Sequence, residues 1–297
     1  MNTYNIKNKT DLYKFIMTMW TLTQHVVVLS AMSFAAACGG ATAGQDGQHA
    51  EGTLSNESDG THAASAHGGA PHWGYKGEIG PDHWGTLSPE YSLCGQGAAQ
   101  SPVDVVTADT LVDEGHPNLI MQCHSDVPLN IVNNGHSIQV NSESECTLGI
   151  GEETYTLLQL HFHTPSENTV DGTLAAGEMH LVHKSGDTLA VVGVLFNVGD
   201  ANPTFQTILD NADTSPGEAR QITDVAIDIN TLLPSERAFY FFNGSLTTPP
   251  CTEGVLWYLM QTPITVSQSQ IDRFKSIIGA NNRPTQPLNG RIVKRNP

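Results

Sequence analysis

The segment Gln159-Leu160-His161-Phe162-His163 alternates polar and apolar side chains with a period of two. In an extended strand that pattern projects Gln159, His161 and His163 from one face and sends Leu160 and Phe162 to the other. A second run, Glu178-Met179-His180-Leu181-Val182-His183, alternates in the same way. If the two runs are neighbouring strands, His180 joins His161 and His163 around one point. Three neutral nitrogen ligands with an open fourth position are the arrangement of catalytic zinc, whereas structural zinc takes four protein ligands, commonly thiolates. Neutral ligands leave the full charge of the ion to act on a bound water, which then ionises more readily and can attack an electrophilic carbon. Gln159 and Glu178 each stand two residues before a ligand on the same strand face, placed to accept the remaining ring N–H of His161 and His180. An isolated His-x-His is more often a solvated pair than a metal site. The third histidine, with an amide and a carboxylate in register, selects the metal reading. His183 falls on the opposite face from His180 and belongs to packing, and His116 and His124 read as surface residues.

Strands of this kind need a sheet around them. Leu129–Val132 and Ile138–Val140 flank Asn133-Asn134-Gly135, which reads as a hairpin with a glycine-containing turn. Tyr155–Phe162, Met179–His183, Leu189–Val198, Ala238–Phe242 and Val255–Met260 are the further strand candidates. Ile271, Phe274, Ile277 and Ile278 recur at helical spacing and predict a short helix over 271–278. The 28 glycines and 16 prolines spread along the chain suit many turns. The fold class expected is mainly β (α+β): a single domain over 71–297, built on a large central, mostly antiparallel twisted sheet with a few short peripheral helices.

The whole sequence has 297 residues, with 13 lysines and arginines against 30 aspartates and glutamates and a formal net charge of −17. That balance argues against binding nucleic acid or an anionic membrane surface, both of which need a cationic face. Lys7, Lys9 and Lys14 precede an apolar run from Val26 to Ala37, too short to span a bilayer and suited to a signal peptide over 1–37. Cys38 follows as in a bacterial lipoprotein signal; the other route is an Ala-x-Ala cut, for instance after Ala43. Residues 38–70 carry almost no large apolar side chains and are expected to be a flexible linker, with His49, His62 and His67 solvated within it. The product is then exported, periplasmic or extracellular, and lipid-anchored through Cys38 on the first route only. Either route leaves four cysteines on the oxidising side of a membrane. Cys123 and Cys146 lie within one residue of equidistant from Asn134. A hairpin turning there brings them face to face or one step out of register, as a second bridge or as two free thiols.

Read in order, His72-Trp73-Gly74-Tyr75, Gly80-Pro81-Asp82-His83-Trp84, Gln100-Ser101-Pro102-Val103 and Asn134-Gly135-His136 precede the two histidine strands. Ser245-Leu246-Thr247-Thr248-Pro249-Pro250 and Arg283-Pro284-Thr285-Gln286-Pro287-Leu288 follow them. Together these motifs resemble the alpha-class carbonic anhydrases over residues 72–297. The resemblance implies a secreted, bacterial-type enzyme with Zn2+ on His161, His163 and His180, hydrating carbon dioxide reversibly through zinc-bound hydroxide. It implies that Thr247 accepts a hydrogen bond from that hydroxide and donates its own proton to Glu167, and that Thr248 lies beside bicarbonate. Val182, Val191, Leu246 and Trp257 correspond to the apolar wall that holds carbon dioxide. His136 matches the proton shuttle, and Tyr75, Asn134 and Gln139 match the polar wall of the cavity and its water chain. Trp73 and Trp84 are expected to pack the N-terminal segment against the domain. Cys94 and Cys251 match the disulfide of secreted members. The partners implied are small molecules, carbon dioxide and bicarbonate, with the chain a monomer or homodimer. A catalytically silent binding module is the second function class, but such relatives lack a zinc histidine and this chain keeps all three. An ester hydrolase using the same hydroxide is the third, and the small apolar pocket residues favour carbon dioxide over it.

Overall fold

Alternation along the strands becomes, in space, one sheet with two different faces. The computed structural model describes residues 71–142 and 146–297. The expected signal peptide, Cys38 and the linker with its three histidines lie outside the described residues. In chain order the strands are β1 (Leu119–Cys123), β2 (Val127–Asn133), β3 (Ile138–Asn141), β4 (Cys146–Ile150), β5 (Glu153–His163) and β6 (Gly177–Ser185). They continue as β7 (Thr188–Val198), β8 (Arg220–Ile227), β9 (Phe239–Ser245), β10 (Glu253–Met260) and β11 (Ile264–Val266). The sheet runs β8-β2-β3-β5-β6-β7-β10-β9 and ends on the short strands Lys294–Arg295 and Leu111–Val112. Most neighbours are antiparallel; β7 pairs parallel with β10 and β11. The fold class expected from the sequence is the one observed.

On one face, Leu160, Phe162, Met179, Leu181, Val192 and Val194 are buried in the main core. Two helices cover it, α1 (Pro203–Asn211) and α2 (Gln268–Ile278). Phe162 meets Phe205 of α1 at 4.9 Å and Phe274 of α2 at 6.3 Å between ring centroids. Burying one such phenylalanine contributes about 2–3 kcal/mol, so the helices are held chiefly by their apolar stripes. Local capping fixes where they begin. Asn202 accepts from the Phe205 N–H at the start of α1, and Ser267 and Gln270 form a reciprocal capping box on α2. Gln270 also exchanges hydrogen bonds with the Asn202 backbone, which joins the two helix starts. The predicted helix is thus α2 extended by three residues toward its N-terminus, while α1 carried no expectation.

The opposite face buries a second cluster containing Val182, Val191, Trp257, Phe242 and Leu259. Trp84 is fully buried beneath Trp73 and Tyr75, and donates its indole N–H to the Gly74 and Ile79 carbonyls, so the N-terminal segment packs down as expected. Disulfides join Cys94 to Cys251 and Cys123 to Cys146. The second pair faces across antiparallel strands, Cys123 opposite Cys146, as the hairpin reading expected. The hairpin at Asn134 pairs β2 with β3, Asn130 opposite Asn141, and farther out, past a break and a two-residue change of register, β1 pairs with β4. Among the described residues no helix is long and apolar enough to cross a membrane.

The pairing of β6 with β5 shifts between Val182 and His183, so His183 sits opposite Leu157 and Leu158 is left 40% exposed. His183 is fully buried, hydrogen-bonds the Leu181 carbonyl through Nδ1 at 3.0 Å, and is held by burial at a pKa of about 4. In the unfolded chain an imidazole titrates near ~6.5, so below that pH the unfolded state gains a proton that the folded state refuses. Stability is therefore complete above ~6.5 and declines as the pH falls through 4. Urea titrations should show a steeper loss between about pH 7 and 4 for the native chain than for His183→Gln. Equal slopes would exclude His183 as a source of acid sensitivity.

Candidate metal centre and active site

Cross-strand register builds the centre. His161 of β5 lies directly opposite His180 of β6, with Gln139 of β3 on the other flank of His161. His163 lies opposite Glu178, and all these residues share the face away from the main core. The ligand atoms of His161, His163 and His180 fall within 4.8 Å of one another. Two of the rings are aimed by a hydrogen bond from the other nitrogen. His161 Nδ1 donates to Gln159 Oε1 at 2.8 Å, and His163 Nδ1 donates to the Asn281 carbonyl at 2.8 Å. His180 Nε2 is 3.1 Å from Glu178 Oε1, off the line of a hydrogen bond. The free atoms are then Nε2 of His161, Nε2 of His163 and Nδ1 of His180.

These residues fit a metal. His163 Nε2 is buried with no hydrogen-bond partner, a costly state for a polar atom unless an ion takes its lone pair. Burial lowers the proton affinity of all three rings. Repulsion from His163 and then His180 lowers that of His161 further, and repulsion from His163 that of His180. They are therefore neutral, the form that ligates. Three imidazoles without a thiolate suit Zn2+ in an open, catalytic site.

Glu178 works mainly as a brace. Its Oε2 accepts from the backbone N–H groups of Glu167 and Asn168, both at 2.8 Å, and its Oε1 accepts from the Asn168 amide at 2.7 Å. Burial raises its pKa and these donors oppose the rise. Glu167, held in place this way, puts Oε2 3.5 Å from His163 Nε2 and 3.9 Å from His180 Nδ1. Its Oε1 accepts from the Arg283 backbone N–H at 2.8 Å. Burial lifts its pKa to about 8 against the pull of that N–H and of the Thr247 hydroxyl. The Arg283 side chain is itself buried, donating to Gln100, the Ser101 carbonyl and the Cys94 carbonyl. It thus ties the disulfide-linked segment to the loop that holds Glu167.

The next row of the same face is apolar. Val182 pairs with Val191, Val191 with Trp257 and Trp257 with Phe242, one step along from the histidine row. Leu246 packs against this cluster. Trp257 spends its indole N–H on the Ser245 carbonyl at 2.9 Å, which leaves only its ring to the cavity. Gly244 is required beside it, since a Cβ there would come within 2.8 Å of the indole. Thr247 is buried and Thr248 half-buried in the turn closed by the Cys251 N–H on the Thr248 carbonyl at 2.8 Å. At the rim, Asn134 caps its own turn by accepting from the His136 and Ser137 N–H groups. Gln139 donates to Asn141 at 2.6 Å. Tyr75 feels Glu167, whose charge adds to burial in raising the phenol pKa. His136 stacks on Trp73 at 3.7 Å with the rings 7° from parallel, and burial, then His72, lowers its pKa.

Asn168, Asn281 and the Arg283 backbone were not anticipated as parts of the site. Asn168 was legible only as a neighbour of Glu167, and Asn281 reaches His163 from far along the chain with no periodicity to announce it.

Residues 79–297 match the family model for eukaryotic-type carbonic anhydrase. The carbonic anhydrase of Nostoc sp. (strain PCC 7120) is 44% identical over 224 residues, 74% of this chain and 84% of its own. That of Pectobacterium atrosepticum is 45% identical over 226 residues, 75% of this chain and 90% of its own. Among solved structures, the alpha-carbonic anhydrase from Thermovibrio ammonificans, in complex with the inhibitor sulfanilamide, is 42% identical with a TM-score of 0.72, covering 76% of this chain and 100% of its own. The Photobacterium profundum alpha-carbonic anhydrase is 40% identical with a TM-score of 0.69, covering 75% and 100%. Fold, histidine cluster and sequence likeness agree: this chain belongs to the alpha-class carbonic anhydrases.

Proposed function

We propose that the chain hydrates carbon dioxide reversibly to bicarbonate and a proton, with Zn2+ held by His161, His163 and His180. The observation that carries this reading is the convergence of three neutral imidazole nitrogens within 4.8 Å, on a sheet face whose adjacent row is apolar. When bound, zinc supplies the Lewis acidity that lets a water lose its proton near neutral pH, behaviour for which carbonic anhydrase is the reference case. The rest falls to the chain. Val182, Val191, Leu246 and the Trp257 ring offer carbon dioxide a wall with few groups able to hydrogen-bond it. Thr247, with Glu167 as acceptor for its hydroxyl proton, turns its own oxygen lone pair toward the reacting water and fixes that water's orientation. Thr248 borders the bicarbonate position. His136, an imidazole titrating below its ordinary value, carries the released proton from the cavity to buffer, past the polar groups of Tyr75, Asn134 and Gln139. The two disulfides support an exported protein, with residues 1–37 as leader, 38–70 as linker and 71–297 as catalytic domain.

Stopped-flow hydration of carbon dioxide, with metal analysis, tests the centre. The purified protein should hold about one zinc per chain, as one three-histidine site requires, and lose turnover on chelation and regain it with zinc. Zinc-loaded protein that leaves carbon dioxide untouched would sink the proposal and favour the binding module. Turnover of an activated ester rivalling that of carbon dioxide would favour the hydrolase. His180→Ala should lose both metal and turnover.

Thr247→Val should keep its zinc yet lower kcat/KM by about 100-fold, the scale of a lost orientation. An unchanged kcat/KM would remove Thr247 from the reaction.

A further inference from the structure

We infer that the Asn281 side chain is a positioning residue that ties the His136 turn to the strand carrying His163. It keeps the proton-carrying imidazole at a fixed place relative to the metal centre. This rests on the reading of His136 as proton carrier.

Asn281 follows α2, where Gly279 at φ 86° turns the chain back toward β5. The residue is fully buried and its main chain and side chain do separate things. The main-chain carbonyl accepts from His163 Nδ1. The side-chain Oδ1 accepts from the Thr164 N–H at 2.8 Å. Its two Nδ2 protons go to the Phe162 carbonyl and to the His136 carbonyl, each at 2.9 Å. One amide therefore bonds both neighbours of His163 and the backbone of His136 at once. Ser137 doubles the link, since its hydroxyl donates to the Phe162 carbonyl at 2.6 Å and accepts from the Phe162 N–H at 3.1 Å.

The turn has local order of its own. Asn134 caps it, and Gly135 takes φ 86° as the reversal requires. A capped turn at the end of two strands still moves as a unit unless something buried holds it. Trp73 holds the His136 ring from the solvent side by stacking, and Asn281 holds its backbone from within. Because the His163 acceptor is main-chain, replacing the Asn281 side chain loosens the turn, leaving it the Ser137 link to Phe162 alone, and keeps that acceptor in place.

Asn281→Ala separates this role from plain stability. In the zinc enzyme, stopped-flow kcat at low buffer should fall about tenfold, as expected for losing buried hydrogen bonds, and kcat/KM should stay within about twofold. Added imidazole should restore kcat. His136→Ala should show the same pattern, and the double variant should be no worse than His136→Ala. Independently of activity, amide hydrogen exchange at Ser137 and Phe162 should quicken about tenfold in the metal-free protein, while Val192 and Val194 in the sheet centre keep their protection and so report an intact fold. A parallel fall of kcat and kcat/KM without imidazole rescue, or unchanged exchange at Ser137, would overturn the proposal. If His136→Ala leaves low-buffer kcat unaltered, the proton-carrier reading fails and takes this inference with it. A defect in His136→Ala with none in Asn281→Ala discards the Asn281 role alone.

Discussion

The register of β5 against β6 is the constraint on which the rest of this structure depends. Side chains alternate strictly along a strand, so placing His161 opposite His180 also places Leu160 opposite Leu181 and Phe162 opposite Met179. A slip of one residue would expose the core row to the cavity and bury the histidines among phenylalanines. The register is therefore enforced twice, by apolar burial under the two helices and by the polar partners of the imidazoles. Gly193, opposite His180, completes the fit, because a Cβ there would crowd Glu178 and Leu259 at 3.0 Å each.

Around that register the protein holds two buried carboxylates and a buried guanidinium close to three imidazoles, an expensive arrangement for any of them alone. These buried groups are made tolerable by backbone donors and acceptors more than by one another. Glu178 takes two N–H groups and an amide, Glu167 takes the Arg283 N–H, and the Arg283 guanidinium goes to carbonyls. Glu178 serves His180 less than it serves the Glu167-Asn168 backbone. It fixes Glu167, which hydrogen-bonds the Thr247 side chain. The row next to the histidines is apolar, and Trp257 keeps it so by spending its indole N–H on the Ser245 carbonyl.

Much of this was written in local pattern. Period-two alternation named the two histidine strands and their outward faces, Gln159 two residues before His161 named its acceptor, and helical spacing named α2. Those signals are legible because they depend on backbone geometry within a few residues. Near-equal distance from Asn134 likewise brought Cys123 and Cys146 face to face, although the break between the inner and outer strand pairs, and the two-residue change of register across it, had no local signal.

What the sequence by itself determined is therefore which residues face the same way: the histidines together and the aliphatics opposite. The tertiary structure alone decided how distant segments close on them. Asn281 meets His163 and His136, and Arg283 meets Glu167 and Cys94. The physical reason is that in each of these contacts a side chain meets a backbone carbonyl or N–H on a segment far away in the chain. Every residue carries such groups, so nothing in the order of side chains marks which of them will meet.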